Sequence, residues 1–265
     1  MRIAILTTDT IHHRYFLSQL ESSLPYQDKI VLNIFEEAGY PWGKRAWRYF
    51  IRSLPNLWNS VIGNPYLDIP FLKRRQAKVE LRHFFCGEKE PPLSAAFPTA
   101  NVDTINDPVV LKLFEKYEPD IGVVYGTSKI KSDIFSWPRL GLINAHGGLL
   151  PQYRGLDTNL WACANGTPED MGVTIHRVAE GLDTGEIFIS ERLHAKRGLN
   201  LSNLRLHTTI FCTSLIVDVL KQISDGRSHS ELQSISDGRY FGPIPIGKKI
   251  IAGRHLRRFA SQQNG

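Results

Sequence analysis

Short apolar runs that alternate with helical stretches constrain this chain more than any other feature. Ile3, Ala4, Ile5 and Leu6 form an unbroken run of strand length, and Lys29 to Phe35, apolar apart from Lys29 and Asn33, reads as a second strand. Runs without polar alternation suit strands buried on both faces, as in a parallel sheet. Between them, Thr8, Asp9 and Thr10 offer turn and cap residues ahead of a helical stretch carrying Tyr15, Phe16 and Leu20. Strand, helix, strand in that order predicts an α/β fold on a Rossmann-like, doubly wound, mostly parallel sheet. The order resumes at Asp107, with a helix over 108–117, a strand over 120–125, a helix over 129–135 and a strand over 141–145. A helix capped by Asp157 or Thr158 and ended by Asn165 and Gly166, a strand through Val173 and Ile175, and a long helix capped by Ser202 follow.

Residues 36–100 break this rhythm. They mix aromatics with cations, among them Trp42, Lys44, Arg45, Trp47, Arg48, Tyr49, Phe50, Lys73, Arg74 and Arg75. The mixture fits an inserted segment that builds an acceptor pocket or a homodimer surface. It fits equally an amphipathic packing segment with aromatics inward and cations solvated. The chain thus divides into a catalytic part over 1–200, with the insertion at 36–100, and a C-terminal helix with a basic extension over 201–265. Lys248, Lys249, Arg254, Arg257 and Arg258 make that extension suited to phosphates, although basic tails are commonly just solvated.

A net charge of +6 is compatible with a nucleotide-bearing substrate, a nucleic acid or a peripheral membrane contact, but it is modest for 265 residues. No base-reading motif accompanies it, which argues against nucleic acid as the main partner. Cys86, Cys163 and Cys212 are odd in number and widely separated, so neither a metal site nor a disulfide framework is expected, and the reading is a reducing cytoplasm. The first residues turn polar too soon for a signal peptide, and no apolar run approaches the roughly 18 residues of a membrane helix.

The chemistry gathers at Asn144, His146 and Asp183. Asn144 and His146 are two residues apart, so on a strand they project from one face. Asp183 follows in a turn bracketed by Gly181 and Gly185, which can return its carboxylate to them. An amide, an imidazole and a carboxylate can stabilise an oxyanion, move a proton and orient a nucleophile without a metal, a set suited to acyl transfer to an amine.

These residues stand in a segment that resembles the catalytic core of the folate-dependent formyltransferases. The resemblance is carried by Ile143 to His146, Leu149 to Pro151, Tyr153 to Gly155, Gly172 to Ile175 and Glu180 to Gly185. It departs from the family after His146, where Gly147 and Gly148 replace the usual Pro-Ser. It implies 10-formyltetrahydrofolate as co-substrate, with no metal. It also implies that the pterin is held mainly by backbone of two loops, here including Tyr125, Gly126, Thr127 and Ile130, and Gly181 and Leu182. The first βα turn holds no Gly-x-Gly-x-x-Gly, which argues against a nicotinamide dinucleotide.

Among family members, the methionyl-tRNA enzymes need an RNA-binding C-terminal domain, for which little chain follows residue 200. The glycinamide ribonucleotide enzymes carry a different first loop. The expected acceptor is therefore a nucleotide-linked amino sugar. His12, Arg14, Tyr153 and Arg154 are its candidate contacts, because the first loop and the 150s should flank one crevice. Other amines, a formyl-folate hydrolase and a non-catalytic RNA-binding module are the alternatives.

Overall fold

The computed structural model describes residues 1–25, 28–37, 84 and 96–263. Most of the aromatic and basic segment assigned to 36–100 lies outside the described residues.

Strands β1 (Arg2–Thr8), β2 (Lys29–Glu36), β3 (Thr99–Val102), β4 (Ile121–Tyr125) and β5 (Leu142–His146) alternate with helices α1 (Ile11–Ser23), α2 (Pro108–Tyr117) and α3 (Ser132–Phe135). The rest of the chain adds β6 (Tyr153–Gly155), α4 (Thr158–Asn165), β7 (Gly172–Arg177), β8 (Ile187–Arg192), α5 (Leu201–Ser224), β9 (Arg239–Phe241) and α6 (Ile246–Gln262). Seven strands form one sheet in the order β3-β2-β1-β4-β5-β7-β8, and β6 pairs with β9 in a separate ribbon. The first five are mutually parallel, whereas β7 runs antiparallel to β5 and β8 antiparallel to β7. The expected Rossmann-like, mostly parallel sheet is therefore present, with an antiparallel edge. Because β1 leads to β2 on one side and is flanked by β4 on the other, the sheet has its switch point there, and a crevice opens beyond the carboxyl ends of β1 and β4.

The central strands of the sheet are buried on both faces. On one, Ile3, Ile5, Val123, Ile143, Val173 and Ile175 pack against Phe16 and Leu20 of α1 and Cys212, Ile216 and Leu220 of α5. On the other, Ala4, Leu6, Leu32 and Ile34 meet Val110 and Phe114 of α2. Helix α5 has the length and apolar composition of a membrane span, yet half of its most apolar stretch is covered inside the protein, where it serves as a core helix.

Several local expectations shift. Asn200, not Ser202, caps α5: its side chain accepts from the Ser202 N–H at 2.9 Å while Asn203 returns to the Asn200 N–H at 2.8 Å. The helix expected over 129–135 is only the short α3. The basic extension is not a loose tail: it folds as α6, which buries Ala252, Leu256 and Ala260 against α4.

Candidate active site

Strand pairing brings the polar residues together. Ile143 and Ala145 of β5, like Val173 and Ile175 of β7, face the core built on α1 and α5. Alternation therefore turns Asn144 and His146, with Thr174 and His176, to the opposite face. The antiparallel register sets Asn144 opposite His176 and His146 opposite Thr174. The Asn144 Nδ2 lies 3.1 Å from His176 Nε2. Thr174 Oγ1 donates to the Gly148 carbonyl at 2.7 Å and accepts from the Leu150 N–H at 3.1 Å, so it fixes the loop that leaves His146.

Asp183 closes the set. Its Oδ1 lies 3.5 Å from His176 Nε2 and its Oδ2 3.7 Å from His146 Nδ1. Oδ2 also accepts from the Gly155 N–H at 2.8 Å. Asp183 adopts a left-handed backbone, φ +53°, a conformation that costs an L residue about 1–2 kcal/mol. Burial opposes its ionisation. The hydrogen bond with His176, the charge of His146 and His176 and the Gly155 N–H together outweigh that, and hold the carboxyl down to about 2.

The ring nitrogens of the two histidines have distinct partners. His146 Nε2 lies 2.8 Å from the Tyr153 carbonyl, so it carries a proton and donates it. In the neutral ring the bare nitrogen is then Nδ1, on the Asp183 side. Burial is the main influence on His146 and holds it below the ordinary imidazole value, although Asp183 pulls the other way. His176 donates from Nδ1 to the Arg177 carbonyl at 2.8 Å, which leaves Nε2 toward Asn144 and Asp183.

These groups form the polar end of a cavity of about 260 Å³. The other walls are the loop from Tyr125 to Ile130 and the loop from Val178 to Leu182, with Leu156 at the rim. Tyr125, Gly126, Thr127, Ile130, Gly181 and Leu182 all line it together with Asn144, His146 and Asp183. Gly126 has φ +76°, and a Cβ there would stand 2.5 Å from His13 Nε2. Burial draws His13 down to about 3, helped by Arg205 and His12. A Cβ on Gly148 would meet Thr158 Oγ1 at 2.7 Å and His146 Nε2 at 3.0 Å, so glycine there permits the close packing around the imidazole. Among the described residues, no cluster of three or more His, Cys, Asp or Glu is arranged to hold a metal ion.

The four residues expected to contact the acceptor do not line this cavity. His12 is buried, with Nδ1 3.2 Å from Thr209 Oγ1, and its ring stands edge-on to Phe84. Arg14 forms a two-pronged pair with Asp9 at 2.6 and 2.8 Å. The Tyr153 ring turns away to stack on Phe241, and its hydroxyl meets Thr167 Oγ1 at 2.9 Å, so only its carbonyl serves His146. Arg154 donates to the Gly238 carbonyl at 3.3 Å. His176 joins the cluster beyond the residues expected from sequence. Its alternation with Val173 and Ile175 was visible, but its contact with Asn144 depends on the β5–β7 register.

The profile of a protein family described as Formyl transferase matches residues 76–220. Methionyl-tRNA formyltransferase of Chlorobium chlorochromatii is 31% identical over 169 residues, which cover 62% of this chain and 53% of that one. The enzyme of the same name from Kosmotoga olearia is 31% identical over 155 residues, 58% of this chain and 50% of that one. The chain thus spans about half the length of these curated relatives. A 4-N formyltransferase from Francisella tularensis has a similar fold, with a TM-score of 0.56 at 15% identity, covering 96% of this chain and 87% of that one. A phosphoribosylglycinamide formyltransferase from Anaplasma phagocytophilum gives a TM-score of 0.57 at 14% identity, over 92% and 99%.

Proposed function

Because the chain belongs to the formyl transferase family, we propose that it moves a formyl group from 10-formyltetrahydrofolate to a primary amine, and that a nucleotide-linked amino sugar carries this amine. The observation behind the transfer reading is the convergence of Asn144, His146, His176 and Asp183 at one end of a cavity otherwise walled by loops. The residues present fit the donor. Ile130, Val178 and Leu182 offer apolar sides to a flat ring, and backbone of the 125–130 and 178–182 loops offers hydrogen bonds to its edge. When bound, the donor supplies the formyl carbon that the amine attacks.

Each protein group then has a separable task. Negative charge develops on the formyl oxygen during attack, and a preorganised donor aimed at it lowers the barrier. Asn144 holds its amide nitrogen 3.1 Å from His176 Nε2, and an amide hydrogen there suits that oxygen. The attacking amine must shed a proton. His146 Nδ1 is the better acceptor, since Nε2 is committed to Tyr153 and burial keeps the ring neutral. Asp183, held at about 2, is a weak base. Its carboxylate serves to stabilise the imidazolium that forms 3.7 Å away. Proton uptake directly by Asp183 is therefore the lesser route.

The amino-sugar acceptor rests on the sequence argument, with the solved 4-N formyltransferase supporting the fold. That likeness concerns the fold. Methionyl-tRNA is the second reading, supported by the names of the sequence relatives and by α6, which carries five cations and no carboxylate. Steady-state release of tetrahydrofolate, measured with amino-sugar nucleotides, methionyl-tRNA and no acceptor in parallel, separates these readings from simple hydrolysis. Release with no acceptor at the full rate would replace transfer by hydrolysis.

A further inference from the structure

The segment from Glu231 to Phe241 lies beyond the region matched by the family profile, yet it grips the catalytic cluster from two sides. At one end Glu231 exchanges backbone hydrogen bonds with Ile187 at 2.8 and 2.9 Å, anchoring the segment to the start of β8. At the other, β9 pairs with β6, the strand whose Tyr153 carbonyl accepts a hydrogen bond from His146 Nε2 and whose Gly155 N–H meets Asp183. Gly238 passes so close to Pro151 that a Cβ would stand 1.8 Å from its carbonyl oxygen.

Between these anchors Gln233 reaches into the turn that carries Asp183. Its Nε2 donates to the Asp183 carbonyl at 3.3 Å and also to the Gly185 carbonyl. Two hydrogens thus meet two carbonyls. Turning the amide over would set its oxygen against both of them, so this orientation is fixed. The side-chain oxygen, buried without a partner, contributes nothing to the grip. The turn needs holding because Asp183 is left-handed at φ +53°, and its carboxylate acts only while it stays beside His146 and His176.

We propose that Gln233 is a positioning residue: by tying the carbonyls of Asp183 and Gly185 it keeps the Asp183 carboxylate on the two imidazoles. The kinetic consequence rests on the formyl-transfer reading above; the geometric one does not.

The test compares wild type with Gln233→Met, which keeps length and volume but has no donor, Gln233→Asn, which keeps the amide but falls short, and Gln233→Lys, which restores a donor. The first readout is hydrogen exchange of the Gly155 amide, whose acceptor is the Asp183 carboxylate. The second is kcat and KM for tetrahydrofolate release. Met and Asn should speed Gly155 exchange about tenfold while β1 amides stay as in wild type. They should lower kcat about ten- to hundredfold, since a catalytic group is misplaced, with KM for the donor within about twofold. Lys should recover most of both losses. Wild-type exchange and kcat in the Met and Asn variants would overturn the proposal, as would equal losses in Met and Lys. Should wild type release no tetrahydrofolate, the transfer reading falls, and Gly155 exchange still decides the role of Gln233.

Discussion

His146 and Asp183 face each other with Nδ1 3.7 Å from Oδ2, while Nε2 of the same ring lies 2.8 Å from the Tyr153 carbonyl. The carbonyl fixes which nitrogen is bare, and the carboxylate stabilises that nitrogen once it takes a proton. In the proposed transfer the two side chains therefore act as one unit. His146→Ala should lower kcat by about 10²–10⁴-fold, the usual worth of a positioned base. Asp183→Asn should cost a large part of the same, and the double variant little more than His146→Ala, because groups that share one task are not additive. Single-turnover rates for the three variants check this; fully multiplicative losses would separate the roles.

Asn144→Ala should lower kcat by about 10²–10³-fold, as expected for removal of one donor to a developing oxyanion. Donor affinity by calorimetry should change little, because in the proposed transfer the amide is used most in the transition state.

The pH dependence of stability has a definite sign. Asp183 is held at about 2 against an ordinary 3.8, so its ionisation favours the folded state. That contribution, about 2 kcal/mol, is complete above the unfolded value and is lost as pH falls through the folded one. Asparagine tolerates the left-handed turn, so Asp183→Asn isolates the charge. Urea unfolding of wild type and Asp183→Asn should show a stability gap at pH 6 that narrows as pH drops from 4 toward 2.

The pH dependence of rate follows from the buried imidazole. Since His146 lies below its ordinary 6.5, its base form persists into mildly acidic solution. The acid limb of kcat/KM should accordingly fall below 6.5, and His146→Ala should abolish it. An acid limb at or above 6.5 would assign the base elsewhere.

Gly126→Ala should be destabilising through a stated clash. Its φ of +76° costs an L residue about 1–2 kcal/mol, and the new methyl would press on His13 Nε2. A thermal midpoint lowered by about 2–4 °C per kcal/mol is expected, together with weaker folate binding, because this loop forms a cavity wall.

The sheet was legible because buried parallel strands leave unbroken apolar runs, as in Ile3 to Leu6 and Ile121 to Val124. Asn144 and His146 were legible as a pair because a strand's period of two needs no tertiary knowledge. Strand β8 and the β6–β9 ribbon were not: β8 is half-exposed, and the other two are three residues long. His176 needed the β5–β7 register. Tyr153 serves the site through its carbonyl, which no side-chain pattern advertises. Gln233 meets the Asp183 turn across a loop contact about fifty residues away in sequence, a separation over which local patterns carry no signal.

Formyl transfer is tested most directly by mixing purified protein with 10-formyltetrahydrofolate and following tetrahydrofolate by absorbance, with and without a panel of nucleotide-linked amino sugars. Acceptor-dependent release, abolished in His146→Ala and accompanied by a formylated sugar in the mass spectrum, is the expected result. Release at the same rate without any amine, or undiminished release in His146→Ala, would contradict it.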